Sequence, residues 1–176
     1  HAREVPGFTG VRDAAALYER WCALTVAGAL GLDARSTLEL LYGRARVERR
    51  FEGEAIAVES QRTFSAGESY TLSFRPDLTI TARGRRLHLD AKYRLETGRE
   101  SQGVPRDEIV KMHAYRDAIL GTWGSYALYP GEGPREERHV APDGGEVGAL
   151  ALRPGEDAIG AQRVQVMALV RRFLRG

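Results

Sequence analysis

Apolar residues recur along the chain with two periods, one typical of helices and one typical of strands. A spacing of three to four residues predicts helices, over residues 12–32, 107–120 and 157–174. Alternation with a period of two, or a short apolar run, predicts strands, over residues 47–64, 70–74, 78–81, 87–93, 125–129 and 147–152. The segment 38–42 is compatible with either state, and polar segments with glycine and proline predict loops over residues 94–105 and 130–146. This order of elements predicts one mixed α/β domain over residues 1–176.

Local signals support several of these elements. The first helix is apolar nearly all round, including Leu17 and Leu24, which predicts a buried helix. Asp107 has the side chain of an N-cap and stands at the start of the second helix. A turn at Gly84-Arg85 predicts that the strands on either side of it pair as a hairpin.

The composition excludes several classes of protein. The 176 residues are 43% hydrophobic and 28% charged, which argues against disorder. No apolar run reaches the ~18 residues that span a membrane, so we expect no membrane partner. A single cysteine, Cys22, excludes a disulfide framework and fits a reducing compartment, so we expect a cytoplasmic protein. The chain begins at His1 rather than at Met, and we expect it to be a fragment of a longer polypeptide.

The positive charge is almost entirely arginine. Of 26 basic residues only two, Lys92 and Lys111, are lysine. A compositional bias that replaces lysine by arginine accounts for most of this pattern. A lysine that remains under such a bias is a candidate for a position that needs a compact, titratable ammonium rather than a wide guanidinium. Chance retention is the alternative for both residues.

Charged residues on the predicted hairpin form the most informative cluster in the sequence. Asp77 opens its first strand, and Asp90 and Lys92 follow on the second. Because side chains alternate along a strand, Asp90 and Lys92 share one face of the sheet. Neighbouring carboxylates repel each other unless a cation lies between them, and oxygen ligands favour a hard ion such as Mg²⁺. The alternative is a surface ion pair of Asp90 with Lys92 and a turn acid at Asp77.

These residues match a known pattern. Pro76-Asp77, followed by Asp90-Ala91-Lys92 on the next strand, resembles the motif of the PD-(D/E)XK nuclease superfamily. The sequence Lys-Met-His-Ala-Tyr-Arg-Asp from residue 111, with Tyr-Pro-Gly at 129–131, is similar to the nuclease domain of McrC-like restriction proteins. The resemblance covers about residues 17–131. It implies a restriction-endonuclease-like α/β fold, with a central mixed β-sheet flanked by helices, and metal-dependent cleavage of DNA.

The resemblance also implies roles for individual residues. Asp77 and Asp90 correspond to metal ligands, Lys92 to the catalytic lysine, and the carbonyl of Ala91 to a further ligand. Glu19 stands where the superfamily often adds a catalytic and metal-binding acid from the first helix. A solvated charge near the start of that helix is the alternative for this residue.

The second predicted helix adds two residues to this set. Lys111 and Tyr115 lie one turn apart and therefore face the same way. Related exonuclease-like members carry Gln and Tyr at this spacing, so Lys111 is a departure from the pattern. We interpret Lys111 as a phosphate contact and Tyr115 as hydrogen-bonding support; the alternative is a solvated lysine and a tyrosine packed on the sheet. His88 shares the strand face of Asp90, whereas His113 points away from the site.

The sequence therefore predicts a Mg²⁺-dependent DNA endonuclease, with Mn²⁺ as a substitute, that acts in a restriction or defence system. McrC-like relatives work with a separate nucleotide-hydrolysing motor, so we expect such a subunit, or other domains of the same polypeptide, as partners besides DNA. Two alternatives stay open. One is a catalytically silent nucleic-acid-binding or assembly module with the same fold, and the other is an exonuclease or junction resolvase.

Overall fold

A mixed β-sheet organises the part of the chain that the computed structural model describes, which is residues 11–42, 46–93, 104–132, 135–155 and 159–176. Its strands within these residues are β1 Arg46–Phe51, β2 Glu54–Ser60, β3 Leu78–Ala82, β4 Arg85–Ala91, β5 Thr122–Tyr129, β6 Glu136–Val140 and β7 Glu146–Ala151. The helices of the same ranges are α1 Val11–Ala29, α2 Ala34–Leu41, α3 Arg106–Ala118 and α4 Ile159–Arg175. The seven strands follow the spatial order β1-β2-β3-β4-β5-β7-β6.

The sheet is antiparallel at its two ends and parallel in the middle. Strands β1 to β4 pair antiparallel in chain order, including the predicted hairpin of β3 with β4. Strand β5 runs parallel to both β4 and β7, and β6 returns antiparallel to β7. A parallel pair needs a crossover connection, and α3 lies in the one that joins β4 to β5. The predicted mixed sheet flanked by helices is confirmed.

Helices cover both faces of the parallel strands. On one face, Val26 of α1 and Val166 of α4 belong to the same buried cluster as Leu87 of β4. On the other face, Met112 and Tyr115 of α3 pack against buried residues of β5 and β7. Strands β5 and β7 are therefore buried on both sides, which explains why they read as short apolar runs rather than as alternating sequences.

The first two helices are partly as predicted. Residues 38–42 belong mainly to α2, which Asp33 caps by accepting a 2.7 Å hydrogen bond from the amide of Ser36. The prediction that α1 is buried nearly all round is wrong, because Leu17 and Leu24 are 62% and 44% exposed. The helix buries one side only, since it lies at the surface of the sheet rather than between two layers. No helix in the described ranges combines the length and the apolar character that a membrane crossing requires.

Two strand predictions are wrong. Tyr70 and Leu72 of the predicted strand 70–74 are exposed, and within that segment only Phe74 pairs, through an isolated bridge with Phe64. The alternating side chains of this segment have no sheet face on which to pack. The predicted strand 47–64 is instead the hairpin of β1 and β2.

The remaining differences between the predicted and the observed structure lie in the turns and loops that connect the strands and helices. The β1–β2 turn has a positive φ at both Glu52 and Gly53, as tight hairpin turns require, but glutamate is not typical of such a turn. The predicted loop 130–146 contains β6, whose residues are all exposed and therefore show no alternation. Asp107 is not the N-cap of α3, because Pro105 occupies that position. The loop residues 94–103 and 133–134 and the helix residues 157–158 lie outside the described residues.

A buried carboxylate ties the β5–β7–β6 side of the sheet to α4. Glu146, the first residue of β7, accepts hydrogen bonds from the Tyr126 hydroxyl at 2.6 Å and from Arg138 Nε at 2.8 Å. Arg172 of α4 adds a third bond, from Nε at 3.2 Å. Burial raises the pKa of Glu146, but the hydrogen bonds from Tyr126 and Arg138 and the charge of Arg172 outweigh it, so this pKa lies below its ordinary value.

We expect Glu146→Gln to lower the free energy of unfolding at pH 7 by about 1–3 kcal/mol, because two arginines lose a buried charged partner. A carboxylate whose pKa is lower in the folded than in the unfolded protein stabilises the fold at pH values above its unfolded-state pKa. This stabilisation is lost as the pH falls through the folded-state pKa. The difference in unfolding free energy between variant and wild type should therefore become smaller as the pH falls below 4.5, the ordinary pKa of glutamate. Urea unfolding across this pH range measures it, and the exposed Glu137→Gln is the control. An equal loss at every pH would contradict the assignment to the charge.

Candidate active site

The register of the β3–β4 hairpin places two carboxylates opposite each other. Leu78 pairs with Leu89, and continuing that antiparallel register by one residue sets Asp77 across from Asp90. Directly opposed residues of an antiparallel pair project from the same face of the sheet. Asp77 precedes β3 and Asp90 is the penultimate residue of β4, so both lie at one end of the sheet.

Asp77 is held on both of its carboxylate oxygens. The amide of Ala91 donates to Oδ2 at 2.7 Å, and Gln61 Nε2 donates to Oδ1 at 2.8 Å. Gln61 Nε2 also donates to Oε1 of Glu19, which comes from α1. Glu19 and Asp77 therefore share one donor nitrogen, so the structure brings Glu19 to the same end of the sheet as the hairpin carboxylates.

Asp90 is 2% exposed and contacts both lysines of the chain. Lys92 Nζ forms an ion pair with its Oδ2, and Lys111 Nζ lies 3.2 Å from the same oxygen. The Tyr115 hydroxyl donates to Oδ1 at 3.1 Å. Lys111 and Tyr115 occupy neighbouring turns of α3, which packs on β5 and so faces the end of β4. The predicted face of α3 thus points to the predicted acid of β4.

A fourth carboxylate completes this cluster. Glu108, in the first turn of α3, is buried, and its Oε2 lies 3.8 Å from Lys92 Nζ. With Glu19, Asp77 and Asp90 it makes four carboxylates against two ammonium groups, so the cluster has an excess of acidic groups.

The pKa values in the cluster are shifted by burial and by the neighbouring charges. Burial, together with the charges of Asp90 and Glu19, raises the pKa of Asp77 to about 6. Burial also raises the pKa of Glu108 above its ordinary value. Burial lowers the pKa of Lys92, but the charge of Asp90 and the hydrogen bond to it outweigh this effect, and the pKa of Lys92 lies above its ordinary value. The acids are thus crowded and the lysine is held as an ammonium.

This donor set fits a hard divalent cation. Among the described residues no group of three or more His, Cys, Asp or Glu side chains is close enough to enclose a metal ion. Mg²⁺ does not require such a cage, because it is commonly held by one or two carboxylates and keeps water and substrate phosphate as its other ligands. Two opposed carboxylates in a surplus of negative charge meet that requirement. Asp77 and Asp90 are the residues that could hold the ion.

His88 lies beside the carboxylate cluster, but its ring nitrogens are both engaged in hydrogen bonds that link elements of the fold. The Thr79 hydroxyl is 3.0 Å from His88 Nδ1, and His88 Nε2 is 3.0 Å from Thr122 Oγ1. Because the Thr122 hydroxyl donates to the carbonyl of Ile119, it accepts from His88, which assigns the proton to Nε2. Burial, with the nearby charges of Arg86 and Arg62, lowers the pKa of His88 to about 3. The neutral ring therefore links β3 and β4 to the start of β5 and, through Thr122, to the C-cap residue Ile119 of α3.

Two residues of the cluster were missed from the sequence. Glu108 lies seven residues before Tyr115 and three before Lys111, so helical periodicity could have placed it on the same face of α3. Gln61 carries no comparable signal, because its place opposite Asp77 depends on the pairing of β2 with β3, which the single predicted strand 47–64 did not contain. His113 is exposed on α3, as predicted.

The family comparison agrees with this geometry. The sequence model of the PD-(D/E)XK nuclease superfamily matches residues 29–134, more than half of the chain. The chain therefore belongs to the PD-(D/E)XK nuclease superfamily, and its mixed sheet with flanking helices is consistent with the restriction-endonuclease-like architecture. The matched range contains Asp77, Asp90, Lys92, Lys111 and Tyr115. The curated proteins gave no match to this sequence.

We expect Thr79→Val to destabilise the protein by about 1–3 kcal/mol, because it leaves the buried Nδ1 of His88 without a donor while preserving the shape of the side chain. Thr79→Ser keeps the hydroxyl and is the matched control, with a smaller loss. Urea unfolding of both variants beside the wild type measures the difference. If valine were tolerated as well as serine, the hydrogen bond to His88 would contribute nothing to stability.

Proposed function

We propose that this chain is a metal-dependent deoxyribonuclease that hydrolyses phosphodiester bonds inside DNA strands. The observation that carries the proposal is the meeting of Asp77, Asp90 and Lys92 at one end of the sheet, within the residues that match the nuclease superfamily. The two carboxylates and the lysine are the residue types that the superfamily uses for this reaction, and the geometry supports their use together.

The acidic residues are suited to hold Mg²⁺, for which Mn²⁺ is the expected substitute. Asp77 and Asp90 would be its protein ligands, with the carbonyl of Ala91 as a further one. The expected third carboxylate, Glu19, would lie beside the ion rather than on it, because the described side chains bring no three carboxylates close enough to share a metal, and Gln61 Nε2 joins Glu19 to Asp77. The bound ion would supply Lewis-acid polarisation of the scissile phosphate. Ala91 contributes in a second way, because its amide fixes one oxygen of Asp77 at 2.7 Å.

The two lysines differ in exposure, and this difference assigns them different tasks. The side chain of Lys92 is 16% exposed and lies between two carboxylates, so its ammonium has a fixed position from which to neutralise charge on the reacting phosphate. The side chain of Lys111 is 42% exposed and can extend to a phosphate of the DNA backbone. Tyr115 is buried and supports the site by holding Asp90.

The biological setting follows from the likeness of the α3 sequence, with Tyr129-Pro130-Gly131 after β5, to McrC-like restriction proteins. We assign the chain to the cleavage part of a restriction or defence system in the cytoplasm. Its partners would be DNA and a nucleotide-hydrolysing motor, either as a separate subunit or as other domains of the same polypeptide.

Saturating Mn²⁺ should raise the melting temperature of the wild type, because a ligand of the native state at a hundredfold excess over its Kd adds about 2.7 kcal/mol. The double variant Asp77→Asn with Asp90→Asn should fold and lose this rise. Differential scanning fluorimetry with and without EDTA measures both, and the exposed Asp117→Asn is the control. An equal rise in the double variant would place the metal elsewhere.

Supercoiled plasmid should be cleaved in Mg²⁺ or Mn²⁺ and remain intact in EDTA. Lys92→Arg keeps the charge but introduces a wider group that cannot take the same position between Asp90 and Glu108, so we expect a loss of about 10²–10⁴-fold in single-turnover rate. Lys111→Arg should cost about tenfold or less, since either base can contact a phosphate.

The outcomes of this assay separate the alternatives. Degradation of end-labelled linear DNA with no action on circular plasmid would replace the endonuclease by an exonuclease. DNA binding without cleavage in any divalent metal would favour the catalytically silent module. Unchanged activity of Lys92→Arg would remove Lys92 from the reaction.

A further inference from the structure

Gln61 occupies an unusual place in the site. It directly follows β2, and its backbone has a φ of 52°, in the left-handed region that residues with a Cβ rarely adopt. Its own amide donates to the carbonyl of Asp77 at 2.9 Å. The antiparallel pairing of β2 with β3, which sets Ser60 opposite Leu78, therefore continues by one residue and places Gln61 opposite Asp77.

The side chain of Gln61 makes the contacts that link two of the acids. Nε2 donates to Oδ1 of Asp77 at 2.8 Å and to Oε1 of Glu19. Both protons of this carboxamide nitrogen are thereby used, one on each carboxylate. A primary amide is well matched to this task because it offers two donors and no charge.

The combination of this backbone with this side chain needs an explanation. Glycine adopts a positive φ without steric cost and is the ordinary residue for such a bend. Glutamine at this position adopts a strained backbone conformation. Such strain persists where the surrounding structure holds the residue in place. The bond from the backbone amide would be available to glycine as well. Only the side-chain bonds to Glu19 and Asp77 distinguish glutamine from glycine at this position.

The surroundings show what would happen without the amide. A cavity of about 40 Å³ is lined by Glu19, Gln61, Asp77 and neighbouring residues of α1, α2, β2 and β3. This is enough room for a water molecule. If the side chain were shortened, water could satisfy both carboxylates, but Asp77 would be held only by the Ala91 amide, and Glu19 could move away from it under their mutual repulsion.

We propose that Gln61 is a positioning residue of the metal centre, which fixes the orientation of Asp77 and couples Glu19 to it through a single carboxamide. This inference rests on the proposed function, because it assumes that Asp77 is a metal ligand. Hydrogen bonds that orient metal-binding carboxylates commonly affect metal affinity by 10–100-fold, although they do not touch the ion. The left-handed backbone at Gln61 is kept for the sake of this orientation.

Two substitutions separate orientation from folding. Gln61→Gly relieves the backbone and removes the amide. Gln61→Asn keeps a primary amide and tolerates the left-handed region, but it is one methylene too short to bridge both carboxylates. Glu52→Gly is the matched control, because Glu52 has nearly the same φ, 50°, in the distant β1–β2 turn.

The Mn²⁺ Kd of the full chain, measured by isothermal titration calorimetry, should rise about 10–100-fold in both Gln61 variants and remain unchanged in Glu52→Gly. The melting temperature in EDTA should be equal to or above that of the wild type in Gln61→Gly. A residue with a merely structural role would show the opposite pattern, with a lower melting temperature and an unchanged Kd.

The Mn²⁺ titrations distinguish an error in the role of Gln61 from an error in the proposed metal centre. If the wild type binds Mn²⁺ and both Gln61 variants bind it equally well, the role of Gln61 is wrong and the metal centre stands. If the wild type binds no Mn²⁺, the metal centre itself is contradicted, and with it the role of Gln61.

Discussion

The antiparallel register between β3 and β4 is the constraint on which the candidate active site depends. Leu78 and Ile80 of one strand, and Leu87 and Leu89 of the other, are buried in the same core. A slip of one residue would turn these side chains out of the core to the opposite face and bring the buried polar residues Thr79, His88 and Asp90 into it, so core packing fixes the register. The same register sets Asp77 opposite Asp90. The energy that holds the sheet together thus also holds two like charges near each other, although they repel.

Helix α3 provides the compensation for this repulsion. Met112 and Tyr115 anchor it on β5 and β7, and the chain of hydrogen bonds through His88 fastens its C-terminal end to the hairpin. With the helix so placed, the ammonium of Lys111 and the hydroxyl of Tyr115 reach Asp90. The parallel β4–β5 crossover is therefore the source of both the packing and the electrostatic balance of the site.

Residues of the candidate site could be predicted from the sequence where their positions follow from the periodicity of a strand or a helix. The common side of Asp90 and Lys92 follows from a two-residue strand period, the proximity of Asp77 from the hairpin, and the common side of Lys111 and Tyr115 from a helical turn. Gln61 could not be predicted, because its place opposite Asp77 depends on the pairing of β2 with β3, whereas the sequence predicts one strand over residues 47–64. Strand β6 was missed for another reason: its residues are exposed on every side, so no burial pattern marks them. Patterns of apolar residues report what the core dictates and little beyond it.

The two outer strands of the sheet have a consequence for how copies of the molecule can meet. Strand β1 carries charged side chains at Arg46, Glu48, Arg49 and Arg50, and β6 is charged or polar from Glu136 to His139. An edge strand with free backbone groups invites pairing with another chain, and closely spaced charges oppose this. Extension of the sheet across a molecular boundary is therefore disfavoured at both margins. Association through the helical layers leaves the hydrogen-bonding edges unused, and the molecule is protected against fibrillar growth at the strands it exposes.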